Sequence, residues 1–292
     1  MNVHDSMLFR WAGYDIEEPR QKHLPVPRRK VLTASPKLTD QQIGQYLNYL
    51  RDALNPERGL RVSDYNPDDQ VGTHKPLAEP RPCLFFTEQA AGDAEGHWRH
   101  YGRLGFGFAK GFIFGLGGRP VIYSGGSKDP VLKSVNSIRN ILAGQYEEGH
   151  RIRRDFETLV RFIKLTSMPK REPQEPGPAV PKGKAAAKAA AKGVMAKTML
   201  EQCEFPEHKP IRFLREREWR LIEPEAHTKR WHRDAEGHLW FAPEAGRELE
   251  LIILPCNLLL QQVCNDPFIQ KRLTGPTGIM AQPLSVQALR KL

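Results

Sequence analysis

Between Pro169 and Ala196 the chain reads PKREPQEPGPAVPKGKAAAKAAAKGVMA, and this stretch decides how the rest can be assembled. Its proline-rich half favours extended, solvated backbone and holds too little apolar surface to offset the entropy of ordering it. The AAAKAAAK half has high helix propensity but is too short and too uniformly polar to fold alone. The stretch is thus a linker or an insertion, and the reading adopted is an insertion within one domain. The expected organisation is an N-terminal arm at 1–35, a first core segment at 36–168, a flexible insertion at 169–196, and a second core segment at 197–292.

The same stretch explains much of the charge. The chain carries a formal net charge of +10, and residues 170–198 hold seven basic residues against Glu172 and Glu175. Half of the excess is thus local, and the remainder is ordinary for a globular body. Nucleic acid is a conceivable partner of such a chain but not the favoured one. No apolar run reaches the roughly 20 residues needed to span a bilayer, so no membrane association is expected. The opening MNVHDSMLFRWAGYD lacks the basic and apolar regions of a secretion signal. Cys83, Cys203, Cys256 and Cys264 are too scattered for a disulfide scaffold and suit reduced thiols in a cytoplasmic protein.

Residues 1–35 are polar, broken by Pro25 and Pro27, and read as a loosely held arm. Thr39 with Gln42 three residues later is a capping box, and Ile43, Leu47, Leu50 and Leu54 follow on one helical face. Residues 64–82 hold five prolines or glycines at Pro67, Gly72, Pro76, Pro80 and Pro82, and read as a loop. Strands are expected at 82–87, 104–109, 120–123, 211–222 and 249–254. In Leu104-Gly-Phe-Gly-Phe108 the aromatics share one face and the glycines the other, which implies close approach of a backbone or a ligand. Asp129-Pro130 opens a helix with the stripe Val131, Val135, Ile138, Leu142. A second stripe follows at Ile152, Phe156, Leu159 and Ile163, and both helices read as core-packing. A turn at Gly237 separates Trp231 from Trp240, and a last helix starts near Asn257. The class is α+β, with a mixed or antiparallel central sheet and flanking helices.

Three groups of residues could carry chemistry. Glu216 and Glu218 lie two apart on an expected strand and share a face with Arg220. Such a Glu-x-Glu strand is the catalytic arrangement of ADP-ribosyltransferase-like folds, where a carboxylate stabilises an oxocarbenium-like transition state. It is equally a buried Glu–Arg network that pins a sheet. His97 and Tyr101 share a helix face, and with the following glycines and Lys110 they could hold a phosphate, although no dinucleotide-binding glycine motif is present. Glu88, just after a strand, suits either a catalytic loop or a helix N-terminus. Cysteine and histidine spacings match no metal motif, so no metal site is expected.

Three blocks, Pro82-Cys-Leu-Phe-Phe-Thr-Glu88, His97 to Lys110, and Gly118-Arg-Pro-Val-Ile-Tyr123, resemble the AbiGi abortive phage-resistance family. Phe213 to Ile222, with its Glu-Arg-Glu-Trp-Arg run, and Ile252-Ile253-Leu-Pro255 resemble a second block of that family. An aromatic-histidine opening is not matched, Val31-Leu-Thr33 being nearest, and the insertion separates the blocks widely. The resemblance implies bacterial antiviral defence, with the chain as the antitoxin-like or sensing partner of a toxin encoded nearby. It brings no settled catalytic residues and no cofactor. The competing reading is an effector that consumes NAD or transfers ADP-ribose.

Overall fold

The computed structural model describes residues 7–21, 30–33, 37–62, 81–89, 94–124, 129–165, 217–224, 229–274, 278 and 280–289. The insertion, most of the 64–82 loop, Glu216 and Cys203 lie outside these. Three strands form the middle of the large sheet: β1 (Met7–Ala12), β3 (Cys83–Gln89) and β4 (Leu104–Phe108). Together with β5 (Arg119–Pro120), β8 (Glu218–Ile222), β11 (Leu249–Leu254) and β12 (Gln282–Ser285) they form a seven-stranded sheet ordered β12-β11-β4-β1-β3-β8-β5. Only the β11–β12 pair is parallel, so the sheet is mixed and the α+β class holds.

The expected arm is the main correction. Residues 7–12 are not loosely held; they are the central strand, with β4 on one side and β3 on the other. Leu8 and Phe9 are fully buried on opposite faces, so the strand lacks the polar alternation that advertises a half-exposed one. The expected 120–123 strand is also corrected. It splits at Val121, with β5 in the large sheet and β6 (Ile122–Ser124) pairing in parallel with β7 (Ile163–Leu165). The switch is visible in the hydrogen bonds: Val121 N–H donates to Glu218, and Ile122 N–H donates to Phe162.

One face of the sheet packs against α2 (Asp40–Ala53), α7 (Asn257–Asn265), α8 (Pro267–Leu273) and a small sheet of β2 (Leu60–Arg61), β10 (Leu239–Phe241) and β9 (Trp231–Arg233). Leu8, Phe86, Phe106, Phe108 and Trp219 contribute to this larger core. The other face carries Met7, Phe9, Trp11 and Ile253 under α3 (Glu95–Tyr101) and α9 (Val286–Leu289). Thr39 and Gln42 form the expected capping box at the start of α2. Among the described residues no helix is long and apolar enough to cross a membrane.

The last helix is interrupted at Asp266-Pro267, and Asp266 becomes the cap of α8. Its carboxylate accepts from the Phe268 and Ile269 amides at 2.9 and 3.0 Å and from Arg51 of α2 at 2.7 Å. Burial pushes this carboxyl up, but the Ile269 amide and Arg51 outweigh it and hold it below the usual carboxylate range. A depressed folded-state value means that the stabilisation is present at neutral pH and is lost as pH falls through the acid range. Asp266→Ala should cost about 1–2 kcal/mol, read as a lower melting temperature. Asp266→Asn keeps a capping oxygen and should lose less.

The remaining helices α5 (Pro130–Gln145) and α6 (Arg151–Val160) form an antiparallel hairpin. Arg139 bridges to Glu157 at 2.8 Å, and Arg153 donates to the Tyr146 carbonyl at 3.1 Å, which fixes the direction. These were expected to be core-packing helices, and they are not. Only Val135 and Val160 are buried, while Ile138, Ile141, Ile152 and Leu159 are 43%, 57%, 43% and 65% exposed. Ile152 and Leu159, seven residues apart, share one stripe of α6, and Ile138 and Ile141 lie about 60° apart around α5.

Candidate functional site

Glu218 and Arg220 sit on β8, facing away from the larger core because Trp219 and Leu221 face into it. Both are buried, at 6% and 4% exposure. Arg220 Nε donates to Glu218 Oε1 at 2.9 Å, its Nη1 donates to the Arg161 carbonyl at 2.7 Å, and its guanidinium lies over the Phe85 ring. Glu218 is thus held in an ion pair beneath the surface. A carboxylate stabilising a developing cation needs substrate against it, and this one faces an arginine of its own strand. Glu216, the other candidate on that strand, lies outside the described residues.

Glu88 and Lys110, which belong to separate sequence groups, come together. Glu88 lies on β3 opposite Leu8, on the larger-core face. One of its oxygens accepts from Lys110 Nζ at 2.5 Å and the other from Trp219 Nε1 at 2.9 Å. Lys110 begins α4 (Lys110–Gly115), so the contact ties that helix to the sheet. With both carboxylate oxygens engaged, the arrangement is a partly exposed pin rather than a general base. Ion pairs this exposed contribute only about 0–1 kcal/mol.

His97 and Tyr101 share α3 but do not meet Lys110. Tyr101 packs over the Met7, Phe9 and Trp11 layer, whereas Lys110 sits with Glu88 on the opposite side of the sheet. The glycine face of β4 is filled from within. A side chain at Gly105 would meet the Trp11 ring at 2.6 Å, and one at Gly107 the Phe9 ring at 2.9 Å. Aromatic rings from the central strand thus occupy the space a phosphate would need. Gly105→Ala should cost about 1–3 kcal/mol through overpacking against Trp11, read in a thermal melt.

Two further polar features lie outside the three sequence groups. A cavity of about 130 Å³ is lined by Glu17, Glu18, Lys30, Lys37, Gln42 and Arg103. Arg103 is buried, ion-paired to Glu17, and set over the Trp98 ring. Tyr46 also donates to Glu17, at 2.7 Å, so Glu17 is held by both Arg103 and Tyr46. At the Gly237 turn, Asp234, Glu236 and His238 bring ligand-type atoms within 4.8 Å of one another. There the Asp234 carboxylate accepts from Trp240 Nε1 at 2.8 Å and from the His238 amide at 2.7 Å, as a turn-closing residue does. The cavity joins residues far apart in sequence, whereas Asp234, Glu236 and His238 lie within one five-residue run at the turn. Comparison with protein-family models, with curated proteins and with solved structures returns no match.

Proposed function

We propose that this chain is a protein-binding module of an anti-phage abortive-infection system, acting with a toxin or other defence protein encoded nearby. The observation that carries the binding role is the α5–α6 hairpin, which leaves four large aliphatic side chains, Ile138, Ile141, Ile152 and Leu159, exposed. Four such side chains gathered on one two-helix unit, rather than scattered singly, mark an interaction surface. The defence assignment rests on the ordered AbiGi-like blocks. Four of their strands, β3, β4, β8 and β11, belong to one sheet.

The competing reading, an NAD-consuming or ADP-ribosyl-transferring effector, is disfavoured by the burial of Glu218 against Arg220. The test is growth. Expression of the chain alone should leave growth unchanged, and co-expression should relieve the toxicity of the adjacent gene product. The double change Ile141→Asp, Leu159→Asp should abolish that relief while leaving the melting temperature nearly unchanged, since both sites are exposed. Toxicity of the chain expressed alone would overturn the proposal.

A further inference from the structure

Arg10 is the one charged residue on the face of β1 that looks into the larger core. Its strand neighbours on that face are Leu8, which is fully buried, and Ala12, which packs against the same core. Across the sheet it stands beside Phe106 of β4, also fully buried. A guanidinium set into such a layer is normally matched by a carboxylate, because an isolated buried charge is strongly unfavourable. Arg10 has no such match: among the described residues no hydrogen bond or ion pair is made to it, and its Nε is sealed from solvent without an acceptor. The side chain as a whole is only half-buried, so its terminal nitrogens keep a path to solvent.

The surroundings are built for an anion. The ring of Tyr49, from α2, packs on Phe106 at 6.2 Å between centroids, which hangs it beside Arg10. Burial pushes the Tyr49 phenol up, Arg10 and Arg61 pull it down, and Asp15 adds to the upward push. The hydroxyl therefore lies in the field of Arg10 at the floor, of the exposed Arg61 on β2, which packs against α2, and of the Asp15 carboxylate. Burial likewise disfavours the charge on Arg10, with Tyr49 and then the Cys83 thiol acting the other way. A phenol and a thiol do not replace a carboxylate.

We propose that Arg10, Tyr49 and Arg61 form a binding site for a phosphoryl group. The planar fork of Arg10 offers paired N–H donors to two oxygens, the Tyr49 hydroxyl offers a third donor, and Arg61 supplies a second positive charge at the rim. Two cations suit a dianion better than a single carboxylate. The site is independent of the α5–α6 surface, so it can stand or fall apart from the proposed partner binding.

The experiment is a thermal melt of the full chain with inorganic phosphate, and in a second arm with a nucleoside diphosphate, against chloride at matched ionic strength. Wild type should gain at least about 2–4 °C at saturating ligand. A response to the nucleotide at much lower concentration than to phosphate identifies a nucleotide source, and equal responses identify the free ion. Arg10→Met should abolish the response and melt, without ligand, no lower than wild type, because it removes an uncompensated charge. If that variant does not fold, Arg61→Ala carries the test and should weaken the response several-fold. No shift in wild type beyond the chloride control overturns the site. So does an undiminished response in both variants.

Discussion

Glu218→Gln should melt far below wild type, with a loss of about 3–5 kcal/mol, because it leaves the Arg220 guanidinium buried opposite a neutral amide. The partner cannot escape the change. Arg220 is 4% exposed, and its Nη1 is already committed to the Arg161 carbonyl. Rotation to solvent would also forfeit its position over Phe85. The double change Glu218→Gln, Arg220→Met removes both charges and should recover much of the loss, which would demonstrate coupling within the pair. A catalytic Glu218 predicts the opposite pattern. The single variant would then be as stable as wild type yet lose function, and the second substitution would restore nothing. Melting temperature measured together with phage protection separates these cases.

Gly102→Ala should be the second severe lesion, at about 3 kcal/mol or more. Gly102 ends α3 with φ 107 and ψ 159, a conformation essentially confined to glycine. A Cβ there would lie 2.1 Å from the Ala12 carbonyl oxygen and 2.3 Å from the Tyr14 nitrogen. Both obstacles are backbone, at the end of the central strand, so neither can swing aside as a side chain would. Gly96, earlier in the same helix, has nothing within 4 Å of the equivalent position. Gly96→Ala should leave stability equal or slightly improved, which makes it the natural control in denaturant titrations.

How far the sequence discloses this molecule varies with the range of the interaction. The α2 capping box, the Asp129-Pro130 helix start and the Leu104–Phe108 strand are local signals, and each forms where its residues specify. The central strand was hidden because its residues are buried on both faces and Arg10 interrupts the apolar run, so it reads as part of a polar arm. β12 is a four-residue strand containing Pro283, and it exists through parallel pairing with β11, which no local pattern encodes. The stripes on α5 and α6 were legible as apolar faces, but periodicity does not say what covers a face. Here nothing among the described residues covers Ile141 or Leu159, and an expected core became an exposed surface.

The candidate chemistry follows the same division. Glu218 and Arg220 are two apart on a strand, so their shared face was readable, and their burial followed from the apolar residues around them. Glu88 and Lys110 lie 22 residues apart and meet because one sits on β3 and the other starts the helix after β4. His97 and Lys110 are closer in sequence, yet the sheet separates them. Proximity along the chain was the wrong guide there, because the two glycines of β4 admit Trp11 and Phe9 rather than a ligand.

Calorimetric titration of the purified chain with the adjacent gene product decides whether the exposed aliphatic residues of the α5–α6 hairpin bind a protein partner. Wild type should bind saturably, and Ile141→Asp, Leu159→Asp at least about 100-fold more weakly, with both proteins melting at nearly the same temperature. Equal affinity of wild type and variant for that product would contradict it.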